Sequence, residues 1–449
     1  MTNKNKVIIF FAFILLNACS FDSKTGLWSD AEKEKKRISQ LEQKQSQILE
    51  TNKIYSSDNI FKKEIFLNKN ITLSIPKRNT SWTIPVLNNQ NYLGNIYLPT
   101  IENILLKKKI GKNKFSNSKN LSSLLIYRKN IIFSDDAGTI FNINQAGKIN
   151  WKINVYDKIY KKIYKNLVFS IHKNNIYVAD NIGFVYSMSL ESGKILWVKN
   201  YGTPLKSTIK VFDKFIFLTD QDNRIICLDI HDGTKIWDIL SISSFIKSQS
   251  LLSLAVSKNG ELISINSAAD IYKIQGMNGS INWSRNTSDS LFADATDFFK
   301  SSDIVLSGRN IIFSSGPSIQ SYNFDTGDIN WKEEVSSIAT PIIDGKHIFI
   351  VTENGYFVIL EKDTGNIISS NYIFKILKKK KRQAKVTSFI MGSGKIYSAT
   401  SNGYLIISSA VSGKVESSRK IGDPIFSPIV ISDGKLYILT ANSKIIVFN

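Results

Sequence analysis

Three features of the sequence predict an all-β chain folded as an eight-bladed β-propeller of four-stranded antiparallel blades, closed by an N-terminal strand. A turn glycine, followed by an aliphatic residue and usually a tryptophan, recurs seven times at blade-length intervals. Between the copies, β-branched runs alternate with polar turns. Residues 425–449 supply only three strand-like runs, one short of a blade.

Residues 1–18 read as a leader that takes no part in the fold. Lys4 and Lys6 precede an unbroken apolar run from Val7 to Leu16, which is too short to span a bilayer. The run ends in Leu16-Asn17-Ala18-Cys19, which resembles a bacterial lipobox. The resemblance implies a lipoprotein signal peptide cleaved before Cys19, with lipid attached to the Cys19 sulfur. Ser20 stands where an aspartate favours retention in the inner membrane, so the implied location is the outer membrane, lipid-anchored and facing the periplasm. Several acyl chains make such an anchor effectively permanent. Residues 19–60 follow as a lipidated tether. Its stretch 29–50 is charged and helix-favouring, with Ile38, Leu41 and Ile48 as sparse apolar points. Residues 61–101 form an N-terminal extension expected to pack across the outside of the propeller.

The propeller itself is expected over 102–449. Its repeat is carried by Gly147, Gly193, Gly233, Gly279, Gly327, Gly365 and Gly413, which lie 46, 40, 46, 48, 38 and 48 residues apart. Trp151, Trp197, Trp237, Trp283 and Trp331 follow the first five glycines and are expected to wedge between neighbouring sheets. Asp-Thr-Gly at 325–327 and 363–365 is hairpin chemistry, in which glycine supplies the positive φ. Ile329 and Trp331 are two apart, so on a regular strand they share one face; Ile149 with Trp151, Ile195 with Trp197 and Ile281 with Trp283 repeat the spacing. The third copy departs, with Lys235 at the aliphatic position. Earlier in the unit, Asp136-Ala137-Gly138, Asn354-Gly355 and Asn402-Gly403 mark a second turn.

The strand missing after residue 425 is expected from the N-terminal side. A step of one blade length back from Trp151 reaches Leu106, preceded by Ile104 in the same spacing, so residues 102–110 should complete the last blade. That pairing joins the termini and removes the exposed edges of an open sheet. Trp82 is out of phase with the repeat and is not a blade tryptophan.

The formal charge is +21, and +19 once Lys4 and Lys6 leave with the leader. For an exported chain rich in Lys, Asn and Ile, this balance favours attraction to anionic lipid or acidic partners; nucleic acid is not an expected partner. Two basic runs, Lys107-Lys108-Lys109 and Lys378-Lys379-Lys380-Lys381-Arg382, are solvated loops or contacts to acidic head groups or an acidic partner surface. With Cys19 taken by lipid, Cys227 has no partner and reads as a small buried hydrophobe in Ile225-Ile226-Cys227-Leu228.

The repeat resembles the pyrroloquinoline-quinone-type propeller, whose signature ends in Thr-Gly-Lys-x-x-Trp. Leader, tether, eight repeats and terminal closure together resemble the BamB family, lipoprotein subunits of the machine that inserts β-barrel proteins into the outer membrane. The resemblance implies a non-enzymatic scaffold that binds periplasmic POTRA domains of the barrel-forming subunit and assists barrel insertion, with nascent outer-membrane proteins as further partners. In the family one contacting loop follows a blade tryptophan and holds aliphatic residues beside an arginine. The comparable place after Trp237 holds Phe245, Ile246 and Lys247, with lysine instead of arginine.

Quinone-dependent dehydrogenases of this fold bind cofactor and calcium at the central channel, and one branch adds a vicinal Cys-Cys ring. This chain has no Cys-Cys pair and no acidic cluster repeating at matching positions. His172, His231 and His347 fall at different phases of the repeat, and no phosphate loop or nucleophile elbow is present. No catalytic residue, metal ligand or cofactor is therefore assigned. A periplasmic quinone-dependent dehydrogenase and an envelope glycan- or lipid-binding propeller stand as the alternatives.

Overall fold

The computed structural model describes residues 61–112, 123–156, 160, 163–241, 248, 251–287 and 300–449. Two compact units divide the chain at Ile60. In the first, only a two-residue strand pair, Ser20–Phe21 with Trp28–Ser29, is described. Cys19 and nearly all of the expected tether helix lie outside the described residues.

In the second unit, eight four-stranded antiparallel sheets follow one another, each opening on an innermost strand and ending on an outer one. The innermost strands of blades 1 to 8 are Leu125–Tyr127, Leu167–His172, Lys210–Phe212, Leu254–Val256, Val305–Ser307, Ile342–Asp344, Val386–Gly392 and Val430–Ser432. The eighth blade takes its outer strand from the front of the chain. Ile104–Lys109 pairs with Lys444–Phe448, from Ile104 opposite Phe448 to Lys109 opposite Lys444. One side of the ring carries the turns between first and second strands and the glycine turns between third and outer strands (the turn face). The other side carries the connections between blades (the loop face).

Each sheet is covered on both faces by its neighbours, so the middle strands are buried continuously instead of in alternation. His347–Val351 is buried throughout, as are the four central residues of Tyr356–Glu361. The blade joints repeat one arrangement. A Cβ on Gly193, Gly233, Gly279, Gly327 or Gly365 would lie 2.5–2.9 Å from the indole of Trp151, Trp197, Trp237, Trp283 or Trp331 on the preceding blade. Each indole N–H also donates to a carbonyl of the next blade, such as Trp331 Nε1 to Lys362 O at 2.8 Å. These glycines thus serve twice, with φ near +75° for the turn and no side chain where the ring lies flat. At the eighth joint Leu106 replaces the indole, 2.9 Å from where a Cβ on Gly147 would sit.

The aliphatic residue and the wedge residue do not share a face, contrary to the expectation from their spacing. Every outer strand carries a β-bulge between that residue and the wedge position. Tyr322 pairs with Ile329, but Ser321 pairs with Trp331, leaving Asn330 as the extra residue. Tyr322 and Ser321 point to opposite faces, so their partners Ile329 and Trp331 do too. Ile329 is accordingly 52% exposed while Trp331 is 9% exposed. Lys235 at this position is therefore no anomaly, because the site faces water.

Residues 61–101 also depart from expectation. Only their start runs along the outside. Ile65 exchanges backbone hydrogen bonds with Ser370, an isolated antiparallel bridge at the edge of blade 6. The chain then descends past Glu361, which accepts from Lys69, and reaches the turn face, where Thr72 lies against Gly345. From there it enters the centre of the ring.

The axial segment and the loop face

Residues 77–97 are rich in Asn, Gln and Tyr with scattered Ile, Val and Leu, a composition that offers side-chain amides as well as apolar surface. The inner strands present unpaired backbone groups toward the axis, and this segment meets them in ring order. Asn79 bonds Ile431 O and the Asp433 N–H on blade 8. Trp82 pairs with Ile126 on blade 1, and Thr83 O accepts from Ile171 on blade 2. Asn89 donates to Val211 O on blade 3 and accepts from the Val256 N–H on blade 4. Gln90 O accepts from Leu306 on blade 5, Gly94 lies against the Ile343 carbonyl on blade 6, and Ile96 bridges Gly392 on blade 7. The circuit closes on itself, with the Lys77 N–H donating to Asn95 O and the Tyr97 N–H to Lys77 O, both at 2.9 Å.

Burial follows from this threading. Trp82 and Asn91 are buried, and the Asn91 amide donates to Leu254 O and Ile304 O on adjacent blades. The Asn91 side-chain oxygen accepts from Lys210 Nζ, as does Asn88 O. Burial lowers the Lys210 ammonium to about 8, against a weaker opposing pull from Asp303. Burial likewise raises the Asp303 carboxyl, whose Oδ2 accepts from Thr340 Oγ1 at 2.7 Å. No feature of the repeat signals this segment, because its bonds reach blades as far away in sequence as Ile431, 352 residues from Asn79, and Asp433 just beyond it.

At the loop face the connections between second and third strands are set by a side-chain oxygen. Asp180 Oδ1 accepts from the Ile182, Gly183 and Phe184 N–H groups, and Asp220, Asn266, Thr352 and Thr400 act alike in their blades. Burial raises the Asp180 carboxyl despite those bonds and the Tyr156 hydroxyl at 2.6 Å. These oxygens are committed to the turns. A cleft of about 480 Å³ near the joint of blades 8 and 1 is lined by Ile110, Lys112, Asp135, Tyr156 and Lys165, among others.

Phe245, Ile246 and Lys247 lie outside the described residues, in the sequence between the outer strand of blade 3, Lys235–Leu240, and the innermost strand of blade 4. Cys227 is buried and free, and burial pushes its thiol up to about 12. His172 and His231 stand in different parts of blades 2 and 3, and His347 packs against Phe349 in blade 6. Among the described residues, no three His, Cys, Asp or Glu side chains gather where a metal ion would bind, and no helix is long and apolar enough to cross a membrane.

A family model described as the outer membrane protein assembly factor BamB matches residues 136–371, from blade 1 to the outer strand of blade 6. The chain belongs to the BamB family. Two BamB relatives are 18% identical over 232 residues (Moranella endobia, strain PCIT) and 20% identical over 252 residues (Yersinia pestis). Those alignments take in 46% and 53% of this chain and 58% and 61% of the relatives, so the chain spans about three-fifths of the length of the BamB proteins it matches. The crystal structure of BamB from Moraxella catarrhalis superimposes with a TM-score of 0.63 at 13% identity, covering 77% of this chain and 99% of that one. A europium-containing methanol dehydrogenase superimposes with a TM-score of 0.62 at 10% identity, covering 81% and 89%. At such identities both likenesses speak for the propeller alone.

Proposed function

We propose that this chain is a non-enzymatic scaffold lipoprotein of the outer-membrane protein assembly complex. It is anchored through lipid on Cys19, faces the periplasm, and binds POTRA domains of the barrel-forming subunit to assist β-barrel insertion. Membership of the BamB family, over a stretch from within blade 1 to the outer strand of blade 6, is the observation that carries this reading. The centre of the molecule supports a binding role over redox chemistry. The chain's own residues 79–97 span the ring at its turn face and fill part of its central channel. The described residues also gather no metal-ligating set, so they do not fit a quinone–metal centre. Loop-face connections and the stretch holding Phe245, Ile246 and Lys247 are then the surfaces offered to a partner.

The test is an affinity pull-down of the tagged full chain from gently solubilised envelopes, with mass spectrometry of the co-purifying proteins. Recovery of a POTRA-containing outer-membrane barrel protein is the expected result, and its loss on deleting residues 243–250 assigns the contact to that loop. Recovery that survives the deletion moves the contact elsewhere on the loop face. Absence of any such protein, with intact lipidated bait, overturns the scaffold reading.

A further inference from the structure

The connection between blades 6 and 7 is a basic segment held by packing and hydrogen bonds. It begins with the single-turn 3-10 helix Ile373–Ile376, ends with a second, Lys379–Lys381, and both are pinned from below. Phe374 is buried against Gly355, where a Cβ would lie 2.6 Å from its ring, and Leu377 is buried beside it. The Arg382 guanidinium is spent inside the loop, donating to Leu377 O and Lys375 O, and Asn402 donates to Lys381 O from blade 7. Lys375 pairs with Glu64 and Lys385 with Glu353. That leaves Lys378, Lys379, Lys380 and Lys381, all exposed and none in an ion pair among the described residues. Four like charges on one short stretch of backbone repel one another and have no ion-pair partner among the described residues.

The same corner is where the propeller begins. Phe61 O accepts from Asn354 in the loop-face turn of blade 6, the Phe61 ring meets Tyr356 edge-on, and Glu64 bonds both the Tyr372 N–H and Lys375. The described part of the second unit therefore starts beside this basic segment.

We infer that Lys378–Lys381 dock on the phosphate groups of an anionic phospholipid surface, so that the blade 6–7 edge of the loop face turns toward the bilayer. Lysine ammonium groups act as point charges toward phosphate, and a polybasic patch beside a lipid anchor is a second membrane signal. The orientation rests on the anchored-scaffold reading; the binding does not.

The test is vesicle sedimentation of the full chain carrying Cys19→Ser, so that acyl groups contribute nothing. Phosphatidylcholine vesicles with and without phosphatidylglycerol are compared, at low and physiological salt. Binding should require phosphatidylglycerol, weaken with salt, and fall by at least about tenfold when the four lysines 378–381 are replaced by glutamine. A matched variant removes the same charge from turn-face lysines, with Lys129, Lys173, Lys258 and Lys346 each changed to glutamine, and should bind like the parent. Equal loss in both variants means that net charge and not this segment binds, and overturns the proposal. So does unchanged binding by the 378–381 variant, or equal binding to both vesicles. If the parent ignores vesicles but is retained on immobilised polyglutamate through the same lysines, an acidic protein surface is the occupant and the lipid proposal fails. A failed pull-down leaves this outcome untouched, so the two readings fail separately.

Discussion

Trp331 and Ile329 stand two residues apart in one outer strand, yet the bulge at Asn330 turns one inward and the other to water. Their energetic weights should differ accordingly. Trp331→Ala removes the ring that covers Gly365 and the bond to Lys362 O, and should cost about 3–5 kcal/mol. Ile329→Ser should cost less than about 0.5 kcal/mol. Urea midpoints measure both, and comparable losses would refute the bulge-based facing. Lys210 offers a test by pH. The unfolded chain holds this proton to about 10.5, while burial lets the folded chain release it near 8. Between those values the unfolded state binds more protons, so stability rises with pH. Relative to Lys210→Met, the parent should gain up to about 3 kcal/mol from pH 8 to 10.5 and follow it in parallel below pH 8. Parallel curves across the whole range would show that the fold does not lower the Lys210 ammonium below its unfolded value.

At the scale of the element, what could be read from sequence was what is local. The glycine turns at 325–327 and 363–365 declare themselves because positive φ and the Asp-Thr-Gly pattern lie within three residues. Closure by 104–109 was legible because Leu106 keeps the phase of the repeat. The bulges were not, since an inserted residue leaves the i, i+2 spacing unchanged while inverting its meaning. The extension was not legible either: its partners are distributed over all eight blades, and no periodicity records a bond between Asn79 and Ile431. The candidate contact at Phe245, Ile246 and Lys247 rests on family resemblance alone. A consequence at this scale concerns the edge of blade 6, where Ile65 and Glu64 cover the Ser370 and Tyr372 amides. The equivalent strand of blade 7, Val415–Lys420, has an exposed Ser418 in the position of Ser370. Hydrogen exchange read by mass spectrometry should therefore be at least about tenfold slower for Ile367–Tyr372 than for Val415–Lys420. Equal rates would mean that the Ile65 bridge is not held in solution.

For the whole molecule, a ring of similar sheets would ordinarily behave as a chain of neighbours, each blade stabilised only by the two beside it. The indole-on-glycine joints are interactions of that kind. The axial circuit is different, since one continuous segment of some twenty residues bonds blade after blade and closes through Lys77 and Asn95. Loss of any one blade then releases the bonds that order the segment for the others, which couples blades that never touch. The intact chain should accordingly unfold in one cooperative step, with van't Hoff and calorimetric enthalpies in agreement. Asn91→Leu removes the amide that ties blades 4 and 5 and takes from buried Lys210 its side-chain acceptor, leaving Asn88 O, so the segment should loosen from the axis. The repeat-to-repeat joints remain in that variant, but their long-range coupling is weakened. Its melting should broaden, with a van't Hoff enthalpy falling below the calorimetric one, while Asn330→Leu at an outer bulge lowers stability without changing cooperativity. A parent that already melts in several steps, or an Asn91→Leu variant that remains fully two-state at reduced stability, would assign the axial segment a local packing role and leave cooperativity to the joints alone.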